Sequence, residues 1–280
     1  MRLRLYHHSD GTRVAYRELG AGRPLALLHS ALLSHREWEP SAEQLAGGYR
    51  VVLPDLPLHG DSEDDPRHPY TIDWYARVIA GFAADVLGPN ATIGGHGMGA
   101  DIALRAMQSG QLRPRRLVLM SSSLHAQPEH RLARAAWRAG FMAGAVPGLD
   151  RMVGRATRTL LTRPGSVDRL TVRANPAARD LLRHAFADAP GNRSRARSWA
   201  KCARCWPRGA RTELLELYPR LDVPVLLLWA DHDRLHPIAP AEDALRRLAH
   251  GELRVLPSTG FLMAYDDPVG LARELAAFCG

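Results

Sequence analysis

Cysteine is scarce in this sequence, with three residues in a chain of 280. So few cysteines cannot build the disulfide framework of a small secreted protein. No apolar run reaches the ~18 residues that a membrane-spanning helix needs. The segment Met1–His7 is typical of a strand rather than of a signal peptide. These absences favour a cytoplasmic protein without a membrane partner.

Lysine is nearly absent, since Lys201 is the single lysine among 37 basic residues. The net charge of +8 leaves an anionic partner open, but an arginine bias is also typical of GC-rich coding DNA. No basic run is interleaved with aromatic residues as a nucleic-acid surface requires, so we expect no nucleic-acid partner. Cys202 and Cys205 have no second pair or histidines at ligand spacing, so we expect no metal site.

The sequence does contain ample apolar material, because 46% of its residues are hydrophobic. Apolar runs alternate along the chain with segments of helical periodicity. Several runs are continuously apolar, which predicts strands buried on both faces of a parallel sheet. The main runs are Leu25–Leu28, Arg50–Leu53, Arg116–Met120, Val223–Trp229 and Glu252–Leu256.

Residues 124–212 have a different pattern. Arginines alternate there with apolar residues at three- to four-residue spacing, and Pro-Gly pairs begin at Pro147, Pro164 and Pro190. This pattern predicts several amphipathic helices inserted between two strands. We therefore predict a core formed by residues 1–123 and 213–280, with a helical cap formed by residues 124–212.

A glycine-rich turn lies between the apolar run that begins at Thr92 and the helical run that follows Asp101. Gly95 and Gly99 have the spacing of a nucleophile elbow, G-x-S-x-G, in which a strained turn excludes side chains close to the neighbouring strand and helix. The stretch resembles the G-H-S-M-G-G elbow of the α/β-hydrolase family. Gly97 stands in the position of the family's nucleophilic serine.

Three further segments are similar to motifs of the same family. His29-Ser30-Ala31, followed by Trp38, resembles the H-G-x-x-x…W segment, with serine in place of the glycine. Trp229 to Asp233 resembles W-G-x-x-D, which puts Asp233 at the position of the catalytic acid. Pro257 to Phe261 resembles P-x-x-G-H, which puts Phe261 at the position of the catalytic histidine.

The resemblance implies an α/β-hydrolase fold, with a mostly parallel eight-stranded sheet, helices on both faces and an inserted helical cap. It also implies that the backbone N–H groups of Ala31 and Met98 form an oxyanion hole. Asp233 is then either a catalytic base whose pKa burial raises or a structural carboxylate bonded to loop amides. We expect no cofactor.

The substrate is expected to lie between the elbow and the cap. Several of the candidates have an alternative: His29 as a support of the oxyanion loop, His96 as a packing residue, and His232 or His236 as either a replacement base or a loop residue. His125 begins the cap and is a candidate to face the pocket. Because Gly97 lacks a side chain and Phe261 is apolar, we expect an enlarged and more apolar pocket. The predicted substrate-binding residues are Gly97, Phe261, His29, Ser30, His96, His125 and His236.

Loss of both the nucleophile and the base argues against ordinary serine hydrolysis. The sequence therefore predicts a non-hydrolytic enzyme of cyclase, isomerase or lyase type, which uses the oxyanion hole on a bulky, apolar carbonyl substrate in natural-product biosynthesis. Two alternatives stay open. One is an inactive ligand-binding or regulatory relative, and the other is a hydrolase whose catalytic residues are displaced or engineered away. The oligomeric state is left undetermined.

Overall fold

One sheet of eight strands organises the part of the chain that the structure describes. The computed structural model describes residues 1–127, 131–161, 163, 165, 169–173, 175–185 and 192–280. The strands are β1 Arg2–His7, β2 Arg13–Leu19, β3 Arg23–Leu28, β4 Tyr49–Pro54, β5 Thr92–His96, β6 Arg116–Met120, β7 Val225–Ala230 and β8 Gly251–Leu256.

The strand order is β1-β2-β4-β3-β5-β6-β7-β8. Strands β3 to β8 pair in parallel. Strands β1 and β2 add an antiparallel edge. This confirms the predicted fold class, a mostly parallel eight-stranded sheet.

The helices cover both faces of the sheet, which explains why the central strands are apolar throughout. All six residues of β7 are buried, for example. Helices α2 (Ile72–Phe82) and α3 (Met98–Gln108) pack in one apolar cluster. Helices α1 (Glu39–Leu45) and α11 (Pro268–Cys279) pack in another on the opposite face. The described core helices are α1 Glu39–Leu45, α2 Ile72–Phe82, α3 Met98–Gln108, α8 Leu214–Leu217, α9 Ala239–Leu245, α10 Met263–Asp266 and α11 Pro268–Cys279.

Among the described residues of the segment predicted as a cap, between β6 and β7, there are four helices. They are α4 Arg131–Gly144, α5 Asp150–Leu161, α6 Pro176–Ala185 and α7 Arg193–Cys205. A helical insertion is therefore confirmed, while its bounds at residues 124 and 212 stay a prediction. No helix in the described ranges combines the length and the apolar character that crossing a membrane requires.

Candidate active site

The predicted elbow is present as a strand, a one-residue turn and a helix. Strand β5 ends at His96, helix α3 begins at Met98, and Gly97 between them has φ +49° and ψ −111°. A Cβ added at Gly95 would lie 2.5 Å from the backbone nitrogen of Ala100, and one at Gly99 would lie 2.4 Å from the carbonyl oxygen of Leu28. Glycine at residue 95 therefore allows α3 to start close to β5, and glycine at residue 99 allows α3 to pack against β3.

The space beside Gly97 is taken by a neighbouring side chain. A Cβ added at Gly97 would lie 2.4 Å from Ser30 Oγ and 3.3 Å from Ser30 Cβ. The hydroxyl of Ser30 therefore stands where a side chain at residue 97 would begin, while the expected enlargement of the pocket stays a prediction. Ser30, which replaces a glycine of the family motif, brings a hydroxyl group back to the elbow.

The oxyanion segment has the features that the resemblance implies. The N–H of Gly97 donates to Met120 O at 3.2 Å, so it belongs to the sheet. Met98 is the first residue of α3, and the first N–H groups of a helix have no partner within the helix. Beside Ala31, the chain turns through Leu32 at φ +68°. That Ala31 and Met98 together bind an oxyanion stays a prediction.

A buried carboxylate links Ser30 to His96. Glu37 Oε2 accepts the backbone N–H of Ser30 at 2.8 Å, and His96 Nδ1 donates to Glu37 Oε1. The Glu37 and His96 side chains are 2% and 0% exposed. The other ring nitrogen of His96, Nε2, is buried and has no hydrogen-bond partner among the described residues. Sequence reasoning missed Glu37, although it directly precedes Trp38 in the matched motif.

Phe261, the residue predicted to stand at the position of the family's histidine, lies between two imidazole rings. Its ring centroid is 4.4 Å from that of His96 and 5.6 Å from that of His236, the latter stacked at 26°. Phe261 is buried in a cluster with Leu33 and with Leu181 of cap helix α6. The predicted apolar wall beneath the cap is therefore present, while direct contact with Gly97 stays a prediction.

Asp233 is fully buried and bonded to its own loop. Oδ1 accepts the N–H of Leu235 at 2.7 Å, and Oδ2 lies 3.1 Å from Nδ1 of His236. Burial acts to raise the pKa of Asp233, but the hydrogen bond and charge of His236 outweigh burial and hold the pKa below its usual value. A catalytic base with a raised pKa is therefore the wrong interpretation of Asp233. The structure supports the alternative, a carboxylate that braces the loop.

The remaining histidines lie in different surroundings. His29 donates from Nδ1 to Ser30 O at 2.8 Å and accepts the N–H of Leu56 at Nε2 at 2.9 Å. Both ring nitrogens of His29 are bonded to the backbone, and burial lowers its pKa. These features favour the alternative in which His29 supports the oxyanion loop. The ring of His125 contacts Tyr218 and lies 3.2 Å from Asp243 of α9, so its recorded partners are not elbow residues.

One group in the described part of the chain has the spacing of metal ligands, formed by Glu63, Asp65 and His68. Glu63 already accepts the backbone N–H of Arg13, and Asp65 is paired with Arg67. Arg67 therefore offsets the charge of Asp65, and one oxygen of Glu63 is already hydrogen-bonded. The site at the elbow is built from imidazole, carboxylate, hydroxyl and backbone groups.

A parallel sheet with a glycine elbow after β5 and helices inserted after β6 defines the α/β-hydrolase fold. The chain belongs to the alpha/beta hydrolase family, whose sequence model matches residues 25–274. The sequence is 27% identical over 270 residues to the uncharacterized protein Rv2715 of Mycobacterium tuberculosis. The aligned region covers 92% of this chain and 75% of that protein.

Two further similarities concern proteins with a named activity. A non-heme haloperoxidase of Rhodococcus erythropolis is 26% identical over 280 residues, covering 96% of this chain and 97% of that protein. The structure of an esterase from Exiguobacterium antarcticum superposes with a TM-score of 0.81 at 18% identity, and the match covers 98% of each chain. At this identity the structural similarity shows the fold alone.

Proposed function

We propose that this protein is an enzyme that activates a carbonyl group at the elbow without an acyl-enzyme intermediate on residue 97. The observation that carries the proposal is the backbone of Gly97. It keeps φ +49° and starts helix α3 at Met98, although residue 97 has no side chain to present. This conformation supports the proposal that the first N–H of the helix binds the reacting oxygen.

The side chains at two positions argue against hydrolysis by the family's triad. Gly97 offers no nucleophile, and Phe261 offers no nitrogen to accept its proton. Loss of either function in a serine protease removes ~10⁶-fold of kcat, while the oxyanion hole and binding retain ~10³–10⁴-fold over water. The oxyanion hole and the binding site are compatible with a reaction that needs only charge stabilisation and proton transfer. Reactions of cyclase, isomerase or lyase type meet this condition.

The surroundings favour an apolar substrate. Phe261 belongs to a buried cluster with Leu33, Leu262 and Tyr265, to which α6 of the cap contributes three side chains. Apolar pockets with a few directed polar groups are typical of sites for small organic molecules. We therefore propose a bulky, apolar carbonyl compound as the substrate, as in natural-product biosynthesis, without a cofactor.

A second candidate function is hydrolysis by a displaced nucleophile. The names of several relatives, including a hydrolase and an ester esterase, belong to this class of chemistry. The specific observation in its favour is the hydroxyl of Ser30 beside Gly97, at the place where the family has its serine. In this case Ser30, rather than residue 97, would carry the acyl group.

Proton exchange in D₂O separates these functions without knowledge of the native substrate. An enzyme that stabilises enolates exchanges the α-protons of bulky apolar ketones, which NMR detects, faster than buffer does. The Gly97→Leu variant should lose this exchange, because the larger side chain fills the elbow, and thermal unfolding checks that it is folded.

Two other outcomes would overturn the proposal. Stoichiometric labelling of Ser30 by a serine-directed phosphonate, together with ester turnover, would establish the displaced hydrolase. Ketone binding that Gly97→Leu abolishes, without exchange or turnover in the parent protein, would indicate a ligand-binding relative.

A further inference from the structure

Positive charge is concentrated in the segment predicted as a cap. Residues 124–212 hold 18 of the chain's 37 basic residues but five of its 29 acidic residues. Within them, residues 131–167 contain seven arginines and one acidic residue, Asp150. The rest of the chain is acidic in balance, with 19 basic and 24 acidic residues. A coding bias towards arginine acts along the whole sequence, so it does not explain this concentration, whereas an anionic partner of the segment does.

The connection between α4 and α5 exposes apolar side chains to solvent. Helix α4 ends at Gly144, and a Cβ added there would lie 3.4 Å from Val153 Cγ1 of α5, so the two helices meet beside the connection. Large apolar side chains in and next to the connection are exposed, namely Met142, Val146, Leu149 and Met152. Because they belong to one short stretch of chain, they form a patch rather than isolated exposed residues.

Arginines lie around this apolar patch. Arg151 and Arg155 are exposed on α5. Arg193 and Arg197 of α7 are also exposed, and they line a groove together with residues 144–147 of the connection. We define the cap tip as the surface formed by Met142, Val146, Leu149, Arg151, Met152, Arg155, Arg193 and Arg197.

Apolar and cationic side chains on one exposed surface are the combination that binds an anionic lipid surface. Guanidinium groups pair with phosphates, and each basic residue close to such a surface contributes a factor of ~5 to binding. Apolar side chains enter the boundary between the headgroups and the acyl chains. A nucleic acid would bind the arginines through its phosphates but would leave the apolar side chains in water. The composition of the cap tip therefore favours a lipid surface.

We propose that the cap tip binds the anionic surface of a lipid bilayer. Binding of this kind keeps the helices at the level of the headgroups, so it needs no membrane-spanning helix. The proposal differs from the expectation of no membrane partner, which was based on the absence of long apolar runs. It concerns binding alone and does not depend on the reaction at the elbow.

Co-sedimentation of the full chain with vesicles tests the proposal. One set of vesicles contains equal amounts of phosphatidylcholine and phosphatidylglycerol, and the other contains phosphatidylcholine alone. At ~0.15 M ionic strength, we expect binding to the anionic vesicles to be at least ~10-fold tighter than binding to the neutral ones. Equal binding to both sets, or no binding to the anionic vesicles, would overturn the proposal.

The double variant Arg151→Gln/Arg155→Gln tests the basic part of the cap tip. It should weaken binding to the anionic vesicles by ~30-fold, since two factors of ~5 are lost. The matched control is Arg113→Gln/Arg220→Gln, which removes the same charge from exposed positions outside residues 124–212 and should leave binding nearly unchanged. If the control weakens binding as much as the tip variant does, the net charge rather than the cap tip is responsible, and the proposal is wrong.

The double variant Leu149→Ser/Met152→Ser tests the apolar part. These residues are 39% and 62% exposed, so the change should preserve the fold, which thermal unfolding checks, while weakening binding to anionic vesicles by ~10-fold. Leu3→Ser/Val269→Ser is the control, because these residues are 50% and 58% exposed outside the cap. Unchanged binding by the folded tip variant would mean that the arginines bind a soluble polyanion, such as an acidic protein or a nucleic acid, and would overturn the proposed lipid surface.

Discussion

The hydroxyl of Ser30 and the missing side chain of Gly97 compete for one space, since a Cβ at residue 97 would lie 2.4 Å from Ser30 Oγ. Residue 97 also has a positive φ, which is strained for any residue with a side chain. The two positions are therefore coupled. In the predicted alignment the family has glycine at the first position and serine at the second, whereas this chain has serine and then glycine.

This coupling predicts a double-mutant cycle in stability. Gly97→Ser alone should lower the free energy of unfolding by ~1–3 kcal/mol, through strain and overpacking against Ser30. Combining it with Ser30→Gly should recover part of the loss, with a coupling energy of ~0.5–3 kcal/mol. Urea unfolding of the parent, both single variants and the double variant measures these values. Additive effects would show that the two side chains do not compete.

A contact between cap and elbow helix predicts how the cap is anchored. Arg211 Nη2 lies 2.5 Å from Asp101 Oδ1, and the same guanidinium donates to Leu124 O, so the two ends of the predicted cap meet at α3. Arg211→Leu should lower the free energy of unfolding by ~1–3 kcal/mol, because it leaves a half-buried carboxylate and a carbonyl without their charged partner.

Proteolysis provides the second readout for this contact. The Arg211→Leu variant should be cleaved within residues 124–212 faster than the parent protein. Arg220→Leu serves as a control at an exposed arginine outside the cap. Equal cleavage rates in all three proteins would show that the contact does not hold the cap.

The Asp233–His236 pair predicts a contribution to stability that acid removes. The pKa of Asp233 is lower in the folded protein than in the unfolded chain, so the unfolded state binds the proton more readily. The contribution is therefore present above the ordinary carboxyl pKa of ~4 and is lost as pH falls through the lower, folded value.

Asp233→Asn measures this contribution by difference. The stability gap between the parent and the variant should be constant near neutral pH and should shrink as pH falls below ~4. Asp222→Asn is the comparison, since it replaces an exposed aspartate. A gap that widens in acid would mean that the pKa of Asp233 is raised, and would restore the interpretation of Asp233 as a base.

The elbow could be predicted from sequence because its requirements are local. Gly95 and Gly99 are separated by three residues, and the strand and helix on either side are continuous patterns. The pairs Ser30–Gly97 and Glu37–His96 join residues 67 and 59 positions apart, and their contacts depend on how β3 and β5 align in the sheet. The hydrophobic periodicity of the sequence predicts strands and helices, but it does not predict contacts between side chains so far apart in the chain.

The chemistry of single side chains was harder to predict than their placement. Asp233 lies in the loop after β7, as predicted. Burial raises its pKa, but the hydrogen bond and charge of His236, the N–H of Leu235 and the charge of His96 together hold the pKa below its usual value, and the sequence pattern reports none of these contacts. The ring of His125 is bonded to Asp243 and packs on Tyr218, contacts that the sequence pattern does not report. Its predicted role in binding substrate stays a prediction.

The preserved elbow also predicts that the family's triad can be rebuilt. The double variant Ser30→Gly/Gly97→Ser returns the nucleophile, and adding Phe261→His returns the base. Asp233 is already in place, but its Oδ2 is bonded to His236, so a further His236→Leu change should free that oxygen for the new imidazole.

Each step has an expected effect on the hydrolysis of an activated aryl ester. The double variant should show little activity, and Phe261→His should raise kcat by ~10²–10⁴-fold, the usual contribution of general base catalysis. Asp233→Asn in the complete background should remove most of that gain, because the acid orients the imidazole. If the complete variant is folded and inactive, the strand, turn and helix at Gly97 do not have the geometry of a working elbow. The assignment of the oxyanion donors in the proposed function would then have to be revised, because it depends on the same turn.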